Sequence, residues 1–303
     1  MKLHLHNSLS DRKEEFIPHN PSKIGMYVCG PTVYDFPHIG NARAVVVYDI
    51  LYRILLLKYD AENFSEVISG KKTSQKVTYV RNITDVDDKI NKAAIENKES
   101  IQNLTARITK FFQEDMAELN NLEPSFQPKV TENIPEIIAT IERILQNKNA
   151  YISEGHILLD VKSIKPDETY HYGVLSGKQI EQNIAGARVQ VESYKKNPED
   201  FVLWKPADAE DDISSVFESP WGKGRPGWHI ECTAMSNKIL GSDFDIHGGG
   251  ADLKFPHHEN EIAQNKCANP HSHYAKYWVH NGFVTINGEK MSKSLGNFTS
   301  VRN

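Results

Sequence analysis

The chain has 303 residues, of which 35 are Lys or Arg and 40 are Asp or Glu, so its formal charge is −5. This balance argues against a generally basic nucleic-acid-binding protein, although it does not exclude a local basic surface. No apolar run approaches the ~18 residues of a membrane span, so no membrane partner is expected. The cysteines, Cys29, Cys232 and Cys267, are too few for a disulfide scaffold and indicate a reducing, cytoplasmic location.

The first third of the chain predicts a βαβ unit. Met26–Cys29 is typical of a short buried strand, and apolar residues recur at helical spacing from Asn41, a suitable N-cap, to about Lys58. The next predicted strand is Lys76–Val80, which is rich in β-branched and aromatic residues. A strand, helix and strand in this order imply a parallel sheet. The polar segment 60–75 before the second strand is expected to be a surface loop.

The rest of the chain predicts a second α/β part after an interruption. A hairpin is expected near Glu154 and Gly155, and 165–212 is expected to be an irregular insertion. The predicted helices are Ile101–Leu119, Ile134–Gln146, Trp228–Leu240 and His257–Cys267; the predicted strands are Phe244–His247, followed by a turn at Gly248–Gly250, and Tyr277–Val284. Two α/β halves separated by an insertion are the simplest architecture.

The loop after the first strand carries the motif His38–Asn41. A loop between a strand and a helix N-terminus is where α/β proteins bind phosphates, because free backbone N–H groups and the helix dipole favour an anion there. Gly40 allows a ligand to approach the backbone, while His38 and Asn41 add donors. The spacing matches neither a dinucleotide fingerprint nor a P-loop, so an ordinary turn capped by Asn41 is an equal alternative.

A second motif, Lys-Met-Ser-Lys-Ser at 290–294, follows the turn pair Asn287-Gly288. Lys290 and Lys293 are mobile point charges that could surround a polyphosphate together with the two serine hydroxyls. A short charged run is more often a solvated loop, and that alternative stays open from the residues alone.

A metal site can also be proposed from the residue types. His257 and Glu261 lie four residues apart on a predicted helix and share one face, whereas Cys29 and Cys232 come from two other segments. This is not a compact zinc-finger spacing, and a buried cysteine is more often an apolar filler than a ligand. His258 with Glu261 is nearly as good a pair, so spacing leaves the ligand set open.

The His38–Asn41 and Lys290–Ser294 motifs together resemble the paired signatures of class I aminoacyl-tRNA synthetases. Four longer segments resemble the cysteinyl-tRNA synthetases in particular, and the resemblance runs from about Leu3 to Asn297. These segments are Gly25–Asp35, Val80–Lys89, Gly227–Cys232 and His247–Glu261. There are two departures: Asn41 stands where the class has histidine, so it can donate but cannot carry a proton, and 60–75 is longer than the usual connection.

The resemblance implies a Rossmann-type parallel sheet split by a connecting insertion. Residues 1–119 and 221–303 would be the two halves of a nucleotide-binding catalytic domain, and 120–220 would be the insertion. Members of this family continue into a helical tRNA- and anticodon-binding region, so the chain is expected to be the catalytic part of a longer protein and a cytoplasmic monomer.

The implied activity is that of a cysteine–tRNA ligase. L-cysteine would be activated with ATP and Mg²⁺ to cysteinyl-adenylate and then transferred to the 3′-terminal adenosine of tRNA(Cys). The resemblance implies that one zinc ion is held by Cys29, Cys232, His257 and Glu261, and that cysteine is bound by Cys29, Gly30, Thr32, Thr84 and Trp228. It implies that ATP is bound by His38, Gly40, Asn41, Gly249, Gly250, Asp252 and Lys293. The implied catalytic residues are His38, Asn41, Lys290 and Lys293. Structural alternatives exist for two of these: Trp228 could be core, and Thr84 could cap a helix starting at Asp85. Cys267 has no implied role.

Zinc would explain how cysteine is told apart from serine. An apolar pocket separates such near-isosteres by only roughly 1–3 kcal/mol. Zinc prefers a thiolate to a neutral hydroxyl, so no editing domain is expected. Four protein ligands normally close a zinc site, so direct recognition would need a fifth position or a loosened Glu261.

Two other functions share part of this pattern. A cysteine ligase of the mycothiol-pathway type, acylating a small amine, would share the adenylation motifs. A non-catalytic zinc- or RNA-binding paralogue is disfavoured because both signature motifs are intact.

Overall fold

The computed structural model describes residues 2–166, 170–177, 192–208 and 211–302, and shows a mixed α/β architecture. The strands are β1 (His4–Asn7), β2 (Arg12–Glu15), β3 (Ile24–Val28), β4 (Val77–Arg81), β5 (Ala150–Ser153), β6 (His156–Leu159), β7 (Phe201–Pro206), β8 (Gly224–Pro226), β9 (Asp243–Gly250), β10 (Tyr274–Asn281), β11 (Thr285–Ile286) and β12 (Glu289–Lys290). The helices are α1 (Ile39–Tyr59), α2 (Phe64–Ile68), α3 (Asp88–Asn97), α4 (Ile101–Glu118), α5 (Ile134–Gln146), α6 (Trp228–Leu240) and α7 (Glu259–Ala268).

A parallel sheet with the order β10-β9-β3-β4 organises the described part of the chain. Residue Met26 of β3 is paired with Tyr79 of β4 on one side and with Ile246 of β9 on the other. All five residues of β3 are buried, as a central strand covered on both faces requires. The predicted parallel sheet and its strands are therefore confirmed, except that β10 ends at Asn281 and not at Val284.

The strand order reverses at β3. The chain passes from β3 through α1 to β4 on one side, and the later strands β9 and β10 add on the other. In open α/β sheets, ligands bind in the crevice outside the carboxyl ends of the strands at such a reversal. Here the N–H of Cys29 donates to the carbonyl of Gly248 over 3.1 Å, so the ends of β3 and β9 meet at this crevice.

The core has layers on both faces of this sheet. One apolar cluster joins α1 and the β1–β2 hairpin to the sheet, and it includes the buried Tyr48 and Leu55. A second cluster joins α5, α6 and α7 to the sheet and to the antiparallel strands, with Trp204 and Trp278 among its buried members. Among the residues that the structure describes, no helix has the length and apolarity to cross a membrane.

A separate antiparallel sheet has the order β5-β6-β7-β8, and its first two strands confirm the predicted hairpin. Strand β7 corrects the expectation that 165–212 is irregular, since Leu203 and Trp204 are buried in it and β6 supplies a tertiary partner. The predicted segment also includes 167–169, 178–191 and 209–210, which lie outside the described residues. The domain boundaries at 119 and 220 remain a proposal, and β8 lies beyond the second of them.

Two local predictions about α1 and its connection are wrong. The N-cap of α1 is His38, not Asn41; Asn41 is the third helical residue, and its side chain completes a capping box with His38. Segment 60–75 is not wholly a loop, because it contains the short helix α2, which packs its buried Val67 into the core.

One further element differs from prediction. Gly248–Gly250 extend β9 instead of forming a turn, because they pair with Val279–Asn281 of β10. Tertiary pairing overrides the local turn signal here. The structure also excludes the structural alternative for Thr84, which caps no helix, since α3 begins at Asp88 and its N-cap is Asp87.

The hydroxyl of Tyr48 ties α1 to the strand ends. It lies 2.9 Å from the carbonyl of Gly249 and 2.6 Å from that of Val279, and the Gly249 N–H donates to it over 2.6 Å. We expect Tyr48→Phe to lower the free energy of unfolding by about 1–3 kcal/mol, because a buried N–H would lose its partner. Urea unfolding would measure this change in stability. Tyr59→Phe is the control: the Tyr59 hydroxyl forms no hydrogen bond with a described residue, so its removal should change the free energy of unfolding by less than about 0.5 kcal/mol.

A candidate metal and nucleotide site

The four predicted metal ligands converge at the crevice. The ligand atoms of Cys29, Cys232, His257 and Glu261 all lie within 4.8 Å of one another. The two Sγ atoms are 3.8 Å apart, and His257 Nε2 is 3.2 Å from Glu261 Oε1. Cys29 follows β3, Cys232 lies in α6, and the other two flank the start of α7. The topology thus assembles a group that sequence spacing alone leaves open.

A second group overlaps the first. Cys29, His247, His258 and Glu261 also offer ligand atoms within 4.8 Å of one another, and His258 Nε2 lies 3.3 Å from the Cys29 sulfur. The two groups share Cys29 and Glu261. The first supplies two sulfur atoms, one nitrogen and one carboxylate oxygen, all of which zinc accepts.

The electrostatics of the first group fit a divalent cation. Burial lowers the pKa of His257 to about 3, so its imidazole is neutral and keeps a lone pair for a metal. Burial raises the pKa of the Cys29 thiol well above its usual value, and the neighbouring Cys232 and Glu261 add to this. A bound cation would reverse these costs, because it favours deprotonated sulfur.

Other side chains orient the candidate ligands. Glu261 Oε2 accepts hydrogen bonds from His247 Nε2 at 2.8 Å and from the Tyr274 hydroxyl at 3.0 Å, so Oε1 is left to face the sulfur atoms. The Nδ1 atoms of His257 and His229 are 2.9 Å apart. Sequence reasoning missed His229, His247 and Tyr274; the density of histidines between His229 and His280 was the available signal.

The predicted cysteine-binding residues surround Cys29. Thr32 pairs with Thr84, and the Gly30 N–H donates to the Asn82 side chain over 2.9 Å. Trp228 is 41% exposed, which excludes a core role, and its ring stacks on His257 with centroids 4.1 Å apart. Sequence reasoning missed Asn82, although it lies inside the segment 80–89 that carries the resemblance.

The His38–Asn41 motif forms a reciprocal cap. Nδ1 of His38 accepts from the Asn41 N–H, and Oδ1 of Asn41 accepts from the His38 N–H, both over 3.1 Å. Because Nδ1 accepts, the neutral ring carries its proton on Nε2. Burial, with a contribution from Lys293, lowers the pKa of His38, so the neutral form dominates at pH 7. A second helix-end amide is also used, since the Ile39 N–H donates to Thr299 O over 3.0 Å.

Both lysines of the Lys290–Ser294 motif reach the crevice. Lys293 Nζ is 2.9 Å from Asp35 and 4.8 Å from the centre of the Tyr34 ring, and burial lowers its pKa although Asp35 opposes this. Lys290 Nζ is 2.7 Å from Asp252. The structure therefore brings the two motifs together. Sequence reasoning missed Asp35, a short polar residue in a loop with no distinguishing local pattern.

The remaining predicted nucleotide-binding residues lie at the end of β9. Gly249 and Gly250 are its last residues, and Asp252 follows in a 3₁₀ turn. A Cβ on Gly250 would lie 2.4 Å from the Asp252 carboxylate, and one on Gly249 would lie 2.9 Å from the His258 ring. The glycines thus let the Asp252 turn fold closely against the strand end, beside Lys290.

Comparisons with known proteins agree with this arrangement. Residues 15–303 match the family of tRNA synthetases class I (C) catalytic domain. The chain is 54% identical over 303 residues to the cysteine–tRNA ligase of Rickettsia felis, covering all of the chain and 62% of that protein. It is 52% identical over 299 residues to that of Ehrlichia ruminantium, covering 98% of the chain and 61% of that protein. The chain therefore spans about three fifths of these relatives' length.

Solved structures show the same fold at low sequence identity. Methionyl-tRNA synthetase of Mycobacterium tuberculosis in complex with methionyl-adenylate superposes with a TM-score of 0.64 at 13% identity, covering 93% of this chain and 61% of that one. A putative arginyl-tRNA synthetase of Campylobacter jejuni gives a TM-score of 0.55 at 14% identity, covering 92% and 59%. With the family match over nearly all residues, the chain belongs to the class I (C) tRNA synthetase catalytic-domain family.

Proposed function

We propose that the chain is the catalytic part of a cysteine–tRNA ligase, which activates L-cysteine with ATP and transfers it to tRNA(Cys). The observation that carries this proposal is the convergence of the Cys29–Cys232–His257–Glu261 cluster with both signature motifs at one crevice. The names of the similar proteins agree with it. A cysteine ligase acting on a small amine is not favoured, because the curated relatives are tRNA ligases.

The proposed metal set is Cys29, Cys232, His257 and Glu261, because its two sulfurs suit zinc better than the alternative with one. When bound, zinc would favour the substrate thiolate over a neutral hydroxyl. Glu261 is held at Oε2 by two hydrogen bonds, which oppose its loosening. We therefore favour a fifth position over a displaced Glu261. Gly30, Thr32, Thr84 and Trp228 would bind the rest of the amino acid.

The phosphate end of the site would work by positioning and charge. In-line displacement at phosphorus needs little covalent help from the protein. His38, neutral and protonated at Nε2, would donate to a phosphate oxygen, and Asn41 would donate through its amide. Gly40, Gly249, Gly250 and Asp252 would hold the nucleoside end, and Mg²⁺ would accompany ATP.

The lysines would move from carboxylates to the triphosphate. Lys290 and Asp252 are both more than a third exposed, and such an ion pair is worth only about 0–1 kcal/mol. An incoming triphosphate can therefore displace the carboxylate. Lys290 and Lys293 would then stabilise the leaving pyrophosphate.

Cysteine-dependent ATP–pyrophosphate exchange tests the adenylation step. We expect exchange with cysteine and much less with serine at equal concentration. Exchange that does not depend on an amino acid, or none at all, would refute the enzyme assignment. Charging of transcribed tRNA(Cys), compared with acylation of a small amine, then separates the ligase from its alternative. A cytoplasmic location and a monomeric state stay predictions, which fractionation and sedimentation would check.

Zinc-edge absorption tests direct thiol recognition. The spectrum of the zinc-loaded protein should gain one sulfur scatterer when cysteine is added, and none when serine is added. An unchanged spectrum with saturating cysteine would show that the thiol does not reach the metal.

A further inference from the structure

A buried side chain outside the predicted site links its parts. Asn82 follows β4 directly and is 1% exposed. Its Oδ1 accepts from the Gly30 N–H over 2.9 Å, and its Nδ2 donates to the Thr84 hydroxyl over 3.2 Å. The same Oδ1 lies 3.8 Å from the Cys232 sulfur. One amide therefore touches the turn after Cys29, a candidate metal ligand and a candidate cysteine-binding hydroxyl.

An amide satisfies both contacts at this position without adding a charge. Its oxygen accepts from a backbone N–H while its Nδ2 donates to a hydroxyl. Aspartate could hydrogen-bond both groups, since a hydroxyl can also donate, but it would place a buried charge 3.8 Å from the Cys232 sulfur, and an apolar residue would make neither bond. The arrangement also explains Gly30, since a Cβ there would lie 1.6 Å from the Asn82 carbonyl oxygen. The two backbones are thus in direct contact.

Backbone hydrogen bonds join the segment that contains Asn82 to the segment that contains Cys29. Thr84 N–H donates to Pro31 O over 3.0 Å, and Val33 N–H donates to Thr84 O over 3.1 Å. The segment that follows β4 therefore runs beside the one that follows β3, with Asn82 at their junction.

We propose that Asn82 is a specificity-determining positioning residue, which fixes the Thr84 hydroxyl relative to the thiol-recognising cluster. The inference rests on the proposed function. A small amino acid that is bound by its thiol at one end and by its polar backbone groups at the other has little conformational freedom. The distance between the protein groups that bind the two ends therefore decides its affinity. Asn82 acts through Gly30 and Thr84 and does not itself touch the reacting atoms.

The test is Asn82→Ala, measured by cysteine-dependent exchange. This variant removes the acceptor for Gly30 and the donor to Thr84, and it adds no charge beside the sulfur atoms. We expect the KM for cysteine to rise about 5–30-fold, the factor that corresponds to the loss of buried hydrogen bonding. The KM for ATP and the bound zinc should stay unchanged. Asn149→Ala is the matched control, because Asn149 Nδ2 donates to the Ser163 hydroxyl over 2.9 Å in a different part of the fold.

A double-mutant cycle separates positioning from general stability. Thr84→Val removes the acceptor of the same hydrogen bond, so Asn82→Ala should raise the KM for cysteine by less in the Thr84→Val background than it does alone. Additive effects, an unchanged KM for cysteine, or an equal rise in the KM for ATP would each overturn the proposal. Absence of exchange in the unmodified chain would instead refute the proposed function, and calorimetric titration of the zinc-loaded proteins with cysteine would then still compare the variants.

Discussion

Replacing Cys232 with serine is expected to remove zinc from the protein and to abolish cysteine activation. The hydroxyl of serine is a poor zinc ligand, and the Cys29 sulfur, 3.8 Å away, would lose its partner. Loss of an outer-shell partner typically costs about 10–100-fold in metal affinity, so loss of a direct ligand should exceed that. Metal content after dialysis and cysteine-dependent exchange would measure the two effects.

Two further variants test which of the two overlapping groups of side chains binds the metal. Cys232 belongs only to the proposed group, whereas His258 belongs only to the alternative. If the proposed group is right, His258→Gln keeps a much larger share of the zinc than Cys232→Ser does. The reverse ranking would assign the metal to the group with His247 and His258. Cys267→Ser, at a buried cysteine outside both groups, should keep full metal content.

Replacing Lys293 with alanine is expected to slow adenylate formation while cysteine binds almost normally. Lys293 Nζ lies beside Asp35 in the part of the crevice that contains His38, away from the sulfur cluster. Removing one preorganised charge that acts on the transition state costs about 10²–10³-fold in rate. The kcat of ATP–pyrophosphate exchange should fall by this amount, and the KM for cysteine should change less than about threefold.

The proposed separation of roles would be contradicted if the kcat of exchange fell and the KM for cysteine rose by similar factors. An equal loss in cysteine affinity would mean that Lys293 also shapes the amino-acid pocket. Lys110→Ala is the matched control, because Lys110 is exposed on α4 and lies 3.9 Å from Glu114, so its removal should leave exchange unchanged. Asp35→Asn offers a further comparison, since it removes the carboxylate that holds Lys293 but leaves the lysine itself available for ATP.

Contacts in the crevice join distant parts of the chain. Asp35 and Lys293 come from opposite ends of the chain, as do His38 and Ser300, which form a bridge between backbones. Both contacts bring the Lys290–Ser294 motif to the start of α1. Because Lys290 and Asp252 are both more than a third exposed, their ion pair can be exchanged for a contact with a ligand phosphate at little cost, whereas the Lys293 side chain is only 18% exposed.

Local sequence determined the elements whose signal is short-range and repeated. The periodicity of α5, the buried run of β3 and the hairpin of β5 and β6 are visible in the residues themselves, because burial of one face imposes a period on the sequence. The motifs His38–Asn41 and Lys290–Ser294 indicated the class, and the four longer segments indicated the family, since long matching segments in the same order seldom arise by chance.

The tertiary structure decided which residues share a site and which local signals prevail. Gly248–Gly250 has the composition of a turn but extends β9, because β10 offers its backbone partners. The role of Asn82 is invisible locally, since its contacts with Gly30 and Cys232 join residues 52 and 150 positions apart in sequence. Likewise, spacing could not choose among Cys29, Cys232 and the histidines, because distances between separate segments are set only when the strands pair and the helices pack.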